Sequence, residues 1–183
     1  MESAHKIKTG SLLKLSEQQF VDCDPKSSGC NGGLEIYAWA YAKKKAIALG
    51  SAYPYKGKDG RCNDGSVSGK VNVMSTYTVR NTISAHKSGL NKQPINLGIN
   101  ASGRIFENYS SGILNDPKGS CKAYIDHAVT GVGYGTQNGV DYMIVRNSWG
   151  GSWGESGYFR IAMPSDGNGI CGIMAESGYA TTN

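Results

Sequence analysis

The sequence predicts an α+β protein in which a helical first part is followed by a part made mainly of strands. Apolar residues recur at helical spacing before about residue 46, and short strand-like runs separated by turn residues follow residue 51. The composition agrees, because the 183 residues include 26 Gly and 11 Tyr and only 18% are charged. Such a composition is typical of a compact fold rich in strands and turns, and it disfavours a helical bundle or a disordered chain.

Three helices are predicted in the first part. Residues 1–9 form the end of a helix that Gly10 closes, since glycine readily takes the left-handed conformation at a helix C-terminus. Residues 16–19 have the form of a capping box, and the short helix that they begin ends near Asp22. A longer third helix is expected over 34–46, where apolar residues keep helical spacing.

Strands are predicted for most of the remaining chain. Asn138-Gly139 lies between two of the strand-like runs, and it is a strong hairpin signal because both residues tolerate positive φ. The sequence contains no internal repeat and no low-complexity linker. The strand candidates are 71–79, 95–100, 128–134, 142–146 and 157–162.

The charge pattern does not indicate a nucleic acid or a membrane as a partner. The net charge of +5 comes from scattered residues, and the densest run, 43–45, is either a solvated helix face or an anion-binding patch. The run lacks interleaved aromatic residues, so nucleic acid is not implied. No stretch approaches the ~18 apolar residues that span a membrane, and residues 1–6 lack the apolar centre of a signal peptide.

The cysteines predict disulfide bonds rather than a metal site. There are five cysteines and no C-x-x-C pair, so no zinc ion, redox site or other cofactor is expected. An odd count leaves one cysteine unpaired. Two glycosylation sequons, at residues 100–102 and 108–110, agree weakly with a secretory route.

A histidine and a glycine-rich segment follow one another in the second part. His127 is ambiguous alone, because a histidine at the start of a strand is more often structural than catalytic. The glycines of 131–135 suggest a nucleotide-binding loop, but that loop needs G-x-G-x-x-G between a strand and a helix. Here Thr136 fills the last position ahead of a hairpin, so the nucleotide-binding interpretation fails.

Two tryptophans lie four residues apart in the segment NSWGGSWGE, residues 147–155. Alone, this segment indicates an aromatic patch on a glycine-rich loop. The motifs of the whole chain, in order, are LSEQQFVDC at 15–23, GCNGG at 29–33, YPY at 53–55, DHAV at 126–129, GYG at 133–135, NSWG at 147–150 and CGI at 171–173. Together, and in this order, they resemble the motifs of the papain and cathepsin family of cysteine proteases.

The resemblance implies a thiolate and imidazolium pair that attacks a peptide carbonyl. His127 would hold the thiol proton and deliver it to the leaving amine, and Asn147 would accept a hydrogen bond from the far side of the ring and fix its orientation. Trp149 is expected to shield that hydrogen bond from water. Two alternatives stay open for Asp126, which either tunes the pair electrostatically or has a structural role facing solvent.

The nucleophile is where the chain departs from the family pattern. The catalytic histidine of papain-like enzymes follows the nucleophilic cysteine by roughly 130–150 residues, so the count back from His127 leads upstream of Met1. The sequence has no C-G-S-C-W segment and no preceding glutamine for the oxyanion hole. We therefore expect this chain to be inactive alone, and Met1 is either a genuine start or a truncation boundary.

Family pairing, carried over by motif, joins Cys23 to Cys62 and Cys121 to Cys171. Cys30 is then the unpaired cysteine, because its family partner would lie just before the missing nucleophile. The resemblance places Cys30 in the substrate-binding loop, so we do not expect it to replace the nucleophile.

The resemblance also implies a papain-like two-domain fold with a substrate cleft between the halves. The helical domain is expected over 1–77, and a β-barrel domain over 78–183, with the C-terminal segment crossing back. Glu176 is expected at the far end of the pocket for the second residue before the cut, which would then accept basic as well as apolar side chains. The residues expected to bind substrate are Gly32, Gly33, Leu34, Glu35, Gly98, Asp126, Ala128, Trp149 and Glu176.

The parent protein is thus expected to be a monomeric cysteine endopeptidase, lysosomal, vacuolar or extracellular, that acts on peptides or proteins. By family, an inhibitory propeptide and cystatin-type inhibitors would bind it. One rival is a non-catalytic papain-like peptide-binding protein, although nothing in folding demands His127, Asn147 and Trp149 together. The other rival, a small disulfide-stabilised structural protein, leaves the motifs unexplained.

Overall fold

The computed structural model describes residues 1–116, 118–122 and 124–183. They form two compact units, the first made of Met1–Tyr77 and Ala180–Asn183 and the second of Thr78–Tyr179. The first unit contains the three helices that the sequence predicts. Its elements are α1 (Glu2–Thr9), α2 (Glu17–Cys23), α3 (Glu35–Lys44), β1 (Ile47–Ala48), β2 (Gly69–Val71) and β3 (Val73–Thr78).

The start of α2 differs in one respect from the predicted capping box. The Ser16 hydroxyl accepts a hydrogen bond from the backbone N–H of Gln19 at 3.0 Å, which is the expected cap. The Gln19 side chain does not return to Ser16. It donates to the Tyr41 hydroxyl and accepts from the Ala48 N–H at 2.8 Å, and thereby ties α2 to α3 and β1. Because Gln19 is buried, these bonds satisfy an amide that water cannot reach.

The third helix and the first predicted strand are both shorter than expected. Helix α3 ends at Lys44 because Lys45 is already extended and leads into β1. The predicted strand 71–79 is interrupted at Asn72, whose backbone N–H donates to the side chain of Asn183 at 2.9 Å and not to a neighbouring strand. The result is two strands, β2 and β3, and of these β2 pairs with β1.

The core of the first unit is small and lies among its helices and short strands. The Cys23–Cys62 disulfide bond closes one side of it. Phe20 and Tyr41 pack edge to face with ring centroids 5.9 Å apart. The buried members are Leu15, Cys23, Tyr41, Ala42, Ile47, Val71, Val73 and Ala180.

The second unit is built on an antiparallel sheet with one parallel edge. The strands lie in the order β9-β4-β6-β7-β8-β5, and only β5 and β8 run parallel. Pairing of β5 with β9 is not observed among the described residues, so the expected barrel is an open sheet here. The elements are α4 (Ile83–Leu90), β4 (Ile95–Ile99), α5 (Arg104–Glu107), β5 (Ile113–Leu114), β6 (His127–Gln137), β7 (Val140–Arg146), β8 (Tyr158–Ala162) and β9 (Ser177–Thr182).

The hairpin of β6 and β7 forms around the predicted turn. Asn138 and Gly139 have φ of 51° and 77°, which is the conformation that a two-residue hairpin turn of this kind requires. Gln137 pairs with Val140 next to the turn, and at the far end Thr130 pairs with Arg146. Antiparallel pairing therefore brings the start of β6 and the end of β7 to the same edge of the sheet.

The core of the second unit lies against this sheet and contains the second disulfide bond, Cys121–Cys171. The largest fully buried side chains here are Phe106, Phe159, Ile95, Leu97, Ile99, Met143, Ile161, Met163, Ile173 and Met174. Full burial of so many large apolar groups supplies most of the stability of such a unit. In the part of the chain that the structure describes, no helix is both long enough and apolar enough to cross a membrane.

Helix α4 carries a fully buried histidine, His86. Its ring contacts the Thr82 carbonyl oxygen and the Ser177 hydroxyl, both at 2.9 Å. These contacts suit a neutral ring that donates to Thr82 and accepts from Ser177. Desolvation lowers the pKa of His86 below its ordinary value, against a smaller opposite effect of the Thr82 carbonyl.

We expect His86 to make folding sensitive to acid. Its pKa is lower in the folded than in the unfolded chain, so its contribution is fully present above the unfolded value, about 6.5. That contribution is lost as the pH falls through the folded value, because only the unfolded chain is readily protonated. Urea unfolding between pH 7 and pH 5 should show a steeper loss in the wild-type chain than in His86→Gln. His5→Gln is the control, and parallel curves for the wild type and His86→Gln would refute the assignment.

Candidate active site

His127 is the first residue of β6 and lies at the edge where β7 ends. It pairs across the sheet with Ile99, the last residue of β4. Asn147 directly follows β7, and its backbone N–H donates to the Gly157 carbonyl oxygen at 2.9 Å. The hairpin therefore positions both residues, twenty apart in sequence, at one edge of the sheet.

The two side chains are hydrogen-bonded to each other. His127 Nε2 lies 2.9 Å from Asn147 Oδ1, so the ring donates to the amide oxygen when that nitrogen carries the proton. The same oxygen accepts the backbone N–H of Ser148 at 2.8 Å, which fixes the orientation of the amide. Asn147 is buried, and its Nδ2 has no hydrogen-bond partner among the described residues. The His127 ring is thus held through Nε2, and Nδ1 is left for another group.

Trp149 packs against His127 beside this hydrogen bond. The ring centroids are 5.3 Å apart and the ring planes are inclined by 36°. Trp149 itself is 40% exposed, so its ring covers only part of the imidazole. The expected shielding of the hydrogen bond from water stays a prediction.

Phe106 packs edge to face against Trp149, and no sequence motif indicates this contact. It is fully buried, and its ring lies 5.3 Å from that of Trp149, 5.2 Å from that of Trp153 and 5.0 Å from that of Phe159. Trp153 also donates from Nε1 to the Glu107 carbonyl oxygen at 3.2 Å. Helix α5 has only four residues, so apolar periodicity in the sequence does not indicate it.

Asp126 is held by its neighbours on the chain segment after β4. Its carboxylate accepts the backbone N–H of Ala101 at 2.7 Å and the hydroxyl of Ser102. Desolvation acts to raise the pKa of Asp126, but these hydrogen bonds and the charge of His127 outweigh it and lower the pKa. These hydrogen bonds support the structural alternative, and the electrostatic alternative stays a prediction.

Three of the expected substrate-binding residues lie together in the second unit. Gly98 pairs across the sheet with Ala128, and its N–H donates to the Glu176 carbonyl oxygen at 2.8 Å. A β-carbon on Gly98 would lie 2.7 Å from Ile125 and 3.3 Å from the Glu176 β-carbon, so only glycine fits without a shift. Ile125 is a further member that the sequence analysis missed. Glu176 is exposed and forms no ion pair with any residue that the structure describes.

Four of the expected substrate-binding residues belong to the first unit. Gly32 and Gly33 follow a short 3₁₀ turn, Gly29–Asn31, and both are exposed. Leu34 caps the N-terminus of α3 and is 43% exposed, and Glu35 is the first residue of that helix. These four residues thus form one continuous loop and helix start.

Four of the five cysteines form disulfide bonds, and the fifth is a free thiol. Both disulfide bonds of the structure are those expected from the family motifs. Cys30 is free and exposed, and desolvation together with the Asp59 carboxylate raises the pKa of its thiol. A nucleophilic cysteine has the opposite shift. Of the described residues, only Cys23, Cys62 and Asp64 come close enough together to hold a metal ion. The sulfurs of Cys23 and Cys62 are already bonded to each other.

Comparison with known proteins identifies the family of the chain. The family described as "Papain family cysteine protease" matches residues 1–181. The chain belongs to this family. Its relatives include the probable cysteine protease RD21B of Arabidopsis thaliana, 46% identical over 98% of this chain and 39% of the relative. Cysteine proteinase COT44 of Brassica napus is 43% identical over 98% of this chain and 55% of the relative.

Solved papain-family structures share the fold. The Carica candamarcensis cysteine protease CMS1MS2, solved with E-64, has a TM-score of 0.91 and 40% identity, and the match covers 100% of this chain and 84% of that one. The ragweed pollen cysteine protease Amb a 11, solved in its proform, has a TM-score of 0.91 and 34% identity and covers 100% of this chain and 56% of that one. The predicted α+β class and papain-like fold are confirmed. The chain spans roughly 39% to 55% of the length of the curated relatives that it matches.

Proposed function

We propose that His127 and Asn147 are the acid–base part of a cysteine endopeptidase site. The observation that carries the proposal is the 2.9 Å contact between His127 Nε2 and Asn147 Oδ1 beneath the Trp149 ring. Membership of the papain family supports cysteine peptidase chemistry, and the contact supports which residues perform it. Asn147 is uncharged, so it orients the ring and still allows the ring to become cationic.

The proposed reaction uses the two ring nitrogens for different purposes. Nε2–H stays bonded to Asn147, and Nδ1 takes the proton of a cysteine thiol, which gives a thiolate and an imidazolium. The thiolate attacks the peptide carbonyl carbon, and Nδ1–H then passes its proton to the leaving amine as the C–N bond breaks. Water hydrolyses the resulting thioester, with Nδ1 as the base. Acid and amine are released, and the thiol is regenerated.

We further propose that this chain supplies no nucleophile of its own. Four of its five cysteines are in disulfide bonds, and the raised pKa of Cys30 keeps that thiol protonated at neutral pH. Peptide hydrolysis therefore requires a thiol from a segment joined to or associated with these 183 residues. By the same reasoning, the chain alone should not cleave peptides.

The test compares the 183-residue chain alone with the same chain joined to the part of the Carica candamarcensis relative that the match leaves uncovered, to which we assign the nucleophilic cysteine. We expect no peptide hydrolysis and no labelling by an epoxysuccinyl probe in the first case, and both in the second. His127→Ala in each form controls for contaminating proteases. Turnover by the chain alone that His127→Ala abolishes would refute the absence of a nucleophile. A folded joined chain that binds peptide but does not hydrolyse it would favour the non-catalytic peptide-binding alternative.

Cys30 gives an independent check on the cysteine assignment. Oxidatively folded chain, denatured without reductant, should react with one equivalent of a thiol reagent, because both disulfide bonds stay intact. Cys30→Ser should remove that equivalent, whereas five equivalents in the wild type would contradict both disulfide bonds.

We also propose a cellular location and partners for the parent protein. Disulfide bonds persist in oxidising compartments, which supports a vacuolar, lysosomal or extracellular location. The solved proform of a relative supports an inhibitory propeptide for this protein too. On the basis of its family, we also propose that the protein binds cystatin-type inhibitors and is a monomer.

Glu176 is proposed to select basic side chains at the second position before the cut. It is exposed beside Gly98 and has no ion-pair partner among the residues that the structure describes, so its carboxylate is available to an arginine guanidinium. A charge-assisted, bidentate contact of this kind contributes about 1.5–3 kcal/mol. In the joined chain, Glu176→Ala should reduce kcat/KM roughly tenfold or more for a substrate with Arg at that position and little for one with Phe.

Glu35→Ala is the matched control, since it removes a partly exposed carboxylate of the first unit, and charges near the surface contribute little. It should change both substrates by a similar, small factor. Equal losses for the Arg and Phe substrates in Glu176→Ala would refute the pocket assignment.

A further inference from the structure

Two N-glycosylation sequons occur in the sequence, and their asparagines differ in burial and hydrogen bonding in the structure. Both lie in the second unit, at residues 100–102 and 108–110. An Asn-X-Ser sequon carries a bulky, hydrated glycan only where the asparagine faces solvent in the folded protein. Burial and hydrogen bonding therefore decide between the two.

The first sequon is part of the folded interior. Asn100 is only 9% exposed, its backbone N–H donates to the Cys171 carbonyl oxygen, and its Nδ2 donates to the Tyr124 carbonyl oxygen at 2.7 Å. The hydroxyl of Ser102 is bonded to Asp126. A glycan on Asn100 Nδ2 would remove the bond to Tyr124 and would place a sugar where the structure has no room for it. A chain modified there could not reach this fold.

The second sequon is exposed to solvent, and its middle residue, Tyr109, is a buried anchor for the backbone. Asn108 and Ser110 are exposed, and neither side chain has a hydrogen-bond partner in the described part of the chain. Tyr109 between them is buried, and its hydroxyl donates to the Gly112 carbonyl oxygen at 2.6 Å and accepts the Arg160 N–H at 3.2 Å. The anchor holds the backbone and leaves both sequon side chains free.

We propose that Asn108, and not Asn100, carries an N-linked glycan when the chain passes through a secretory compartment. The reaction transfers the oligosaccharide from its lipid diphosphate carrier to Asn108 Nδ2. A C–N bond forms, the sugar–phosphate bond breaks, and the amide proton leaves with the carrier. No group of the folded structure has to move to accommodate the product.

The position links the glycan to the proposed site. Asn108 directly follows α5, two residues after Phe106, whose ring packs against Trp149. A glycan here is anchored at the end of the element that supports the tryptophan beside His127. It would extend from the protein surface without displacing any member of the aromatic cluster.

The test is secretion of the 183-residue chain, fused to a cleavable signal peptide, from a eukaryotic cell, followed by peptide N-glycosidase treatment and peptide mass spectrometry. We expect one glycan, with the enzyme converting Asn108 to Asp. Asn108→Gln and Ser110→Ala should abolish the shift in mobility, and Ser110→Thr, which keeps the sequon, should retain it. Asn100→Gln should leave the shift unchanged.

Translation in the presence of microsomes keeps the test valid if the chain fails to be secreted, because transfer to Asn108 then does not depend on export. Secreted or microsomal chain without a glycan, or a shift that survives Asn108→Gln, would overturn the proposal. Occupied Asn100 in secreted chain would also overturn it. The readout needs no peptidase activity, so it remains decisive whether or not the proposed function holds.

Discussion

In the chain joined to a thiol-bearing segment, replacement of His127 by alanine is expected to lower kcat/KM by about 10³-fold or more. The loss is this large because His127 is proposed to act twice, as the acceptor of the thiol proton and as the donor to the leaving amine. No other imidazole can take over, since His86 is buried against Thr82 and Ser177 and His5 contacts the Asn183 carbonyl oxygen.

Asn147→Ala separates orientation from proton transfer. It removes the acceptor of the Nε2 hydrogen bond but leaves the ring, so a smaller loss, on the order of 10²-fold, is expected in kcat/KM. His5→Ala is the control for the loss of a histidine. Full activity in His127→Ala would contradict the proposed function, and an Asn147→Ala loss equal to that of His127→Ala would contradict the purely orienting role.

Phe106→Ala is expected to destabilise the second unit by about 3–5 kcal/mol. The ring is fully buried and packs on Trp149, Trp153 and Phe159 at once, so its removal leaves a cavity that three rigid rings cannot easily fill. Urea unfolding followed by tryptophan fluorescence measures the change in the free energy of unfolding.

The matched control is Tyr124→Ala, which removes an aromatic side chain that is 75% exposed in the same unit. It should change the free energy of unfolding by no more than about 0.5 kcal/mol. Phe106→Leu keeps most of the volume and should fall between the two. Similar midpoints for Phe106→Ala and Tyr124→Ala would show that the aromatic cluster does not stabilise the unit.

Local signals in the sequence predicted the features that depend on neighbouring residues. Asn138-Gly139 predicted the hairpin, and the Ser16 cap predicted the start of α2, because a turn or a cap requires particular residues within a few positions. The resemblance to a family predicted that His127 and Asn147 would meet, which spacing alone does not show.

The features that the sequence analysis missed depend on distant contacts. Helix α5 has only four residues and so no measurable periodicity, and Phe106 matters because of rings up to 53 positions away. Ile125 reaches Gly98 only through the pairing of β4 with β6. The Gln19 side chain fits the capping-box pattern, but it forms hydrogen bonds with Tyr41 and Ala48 and not with Ser16. A buried amide needs partners for both its oxygen and its nitrogen, and these distant residues supply them.

The geometry of the β6–β7 hairpin also bears on protein engineering. The turn at 138–139 and the His127 side chain lie at opposite ends of the hairpin, and the seven residues of β7 alone span roughly 24 Å. A fluorophore or short epitope attached at the turn would lie far from His127. It would report on the integrity of the sheet while leaving access to His127 unchanged.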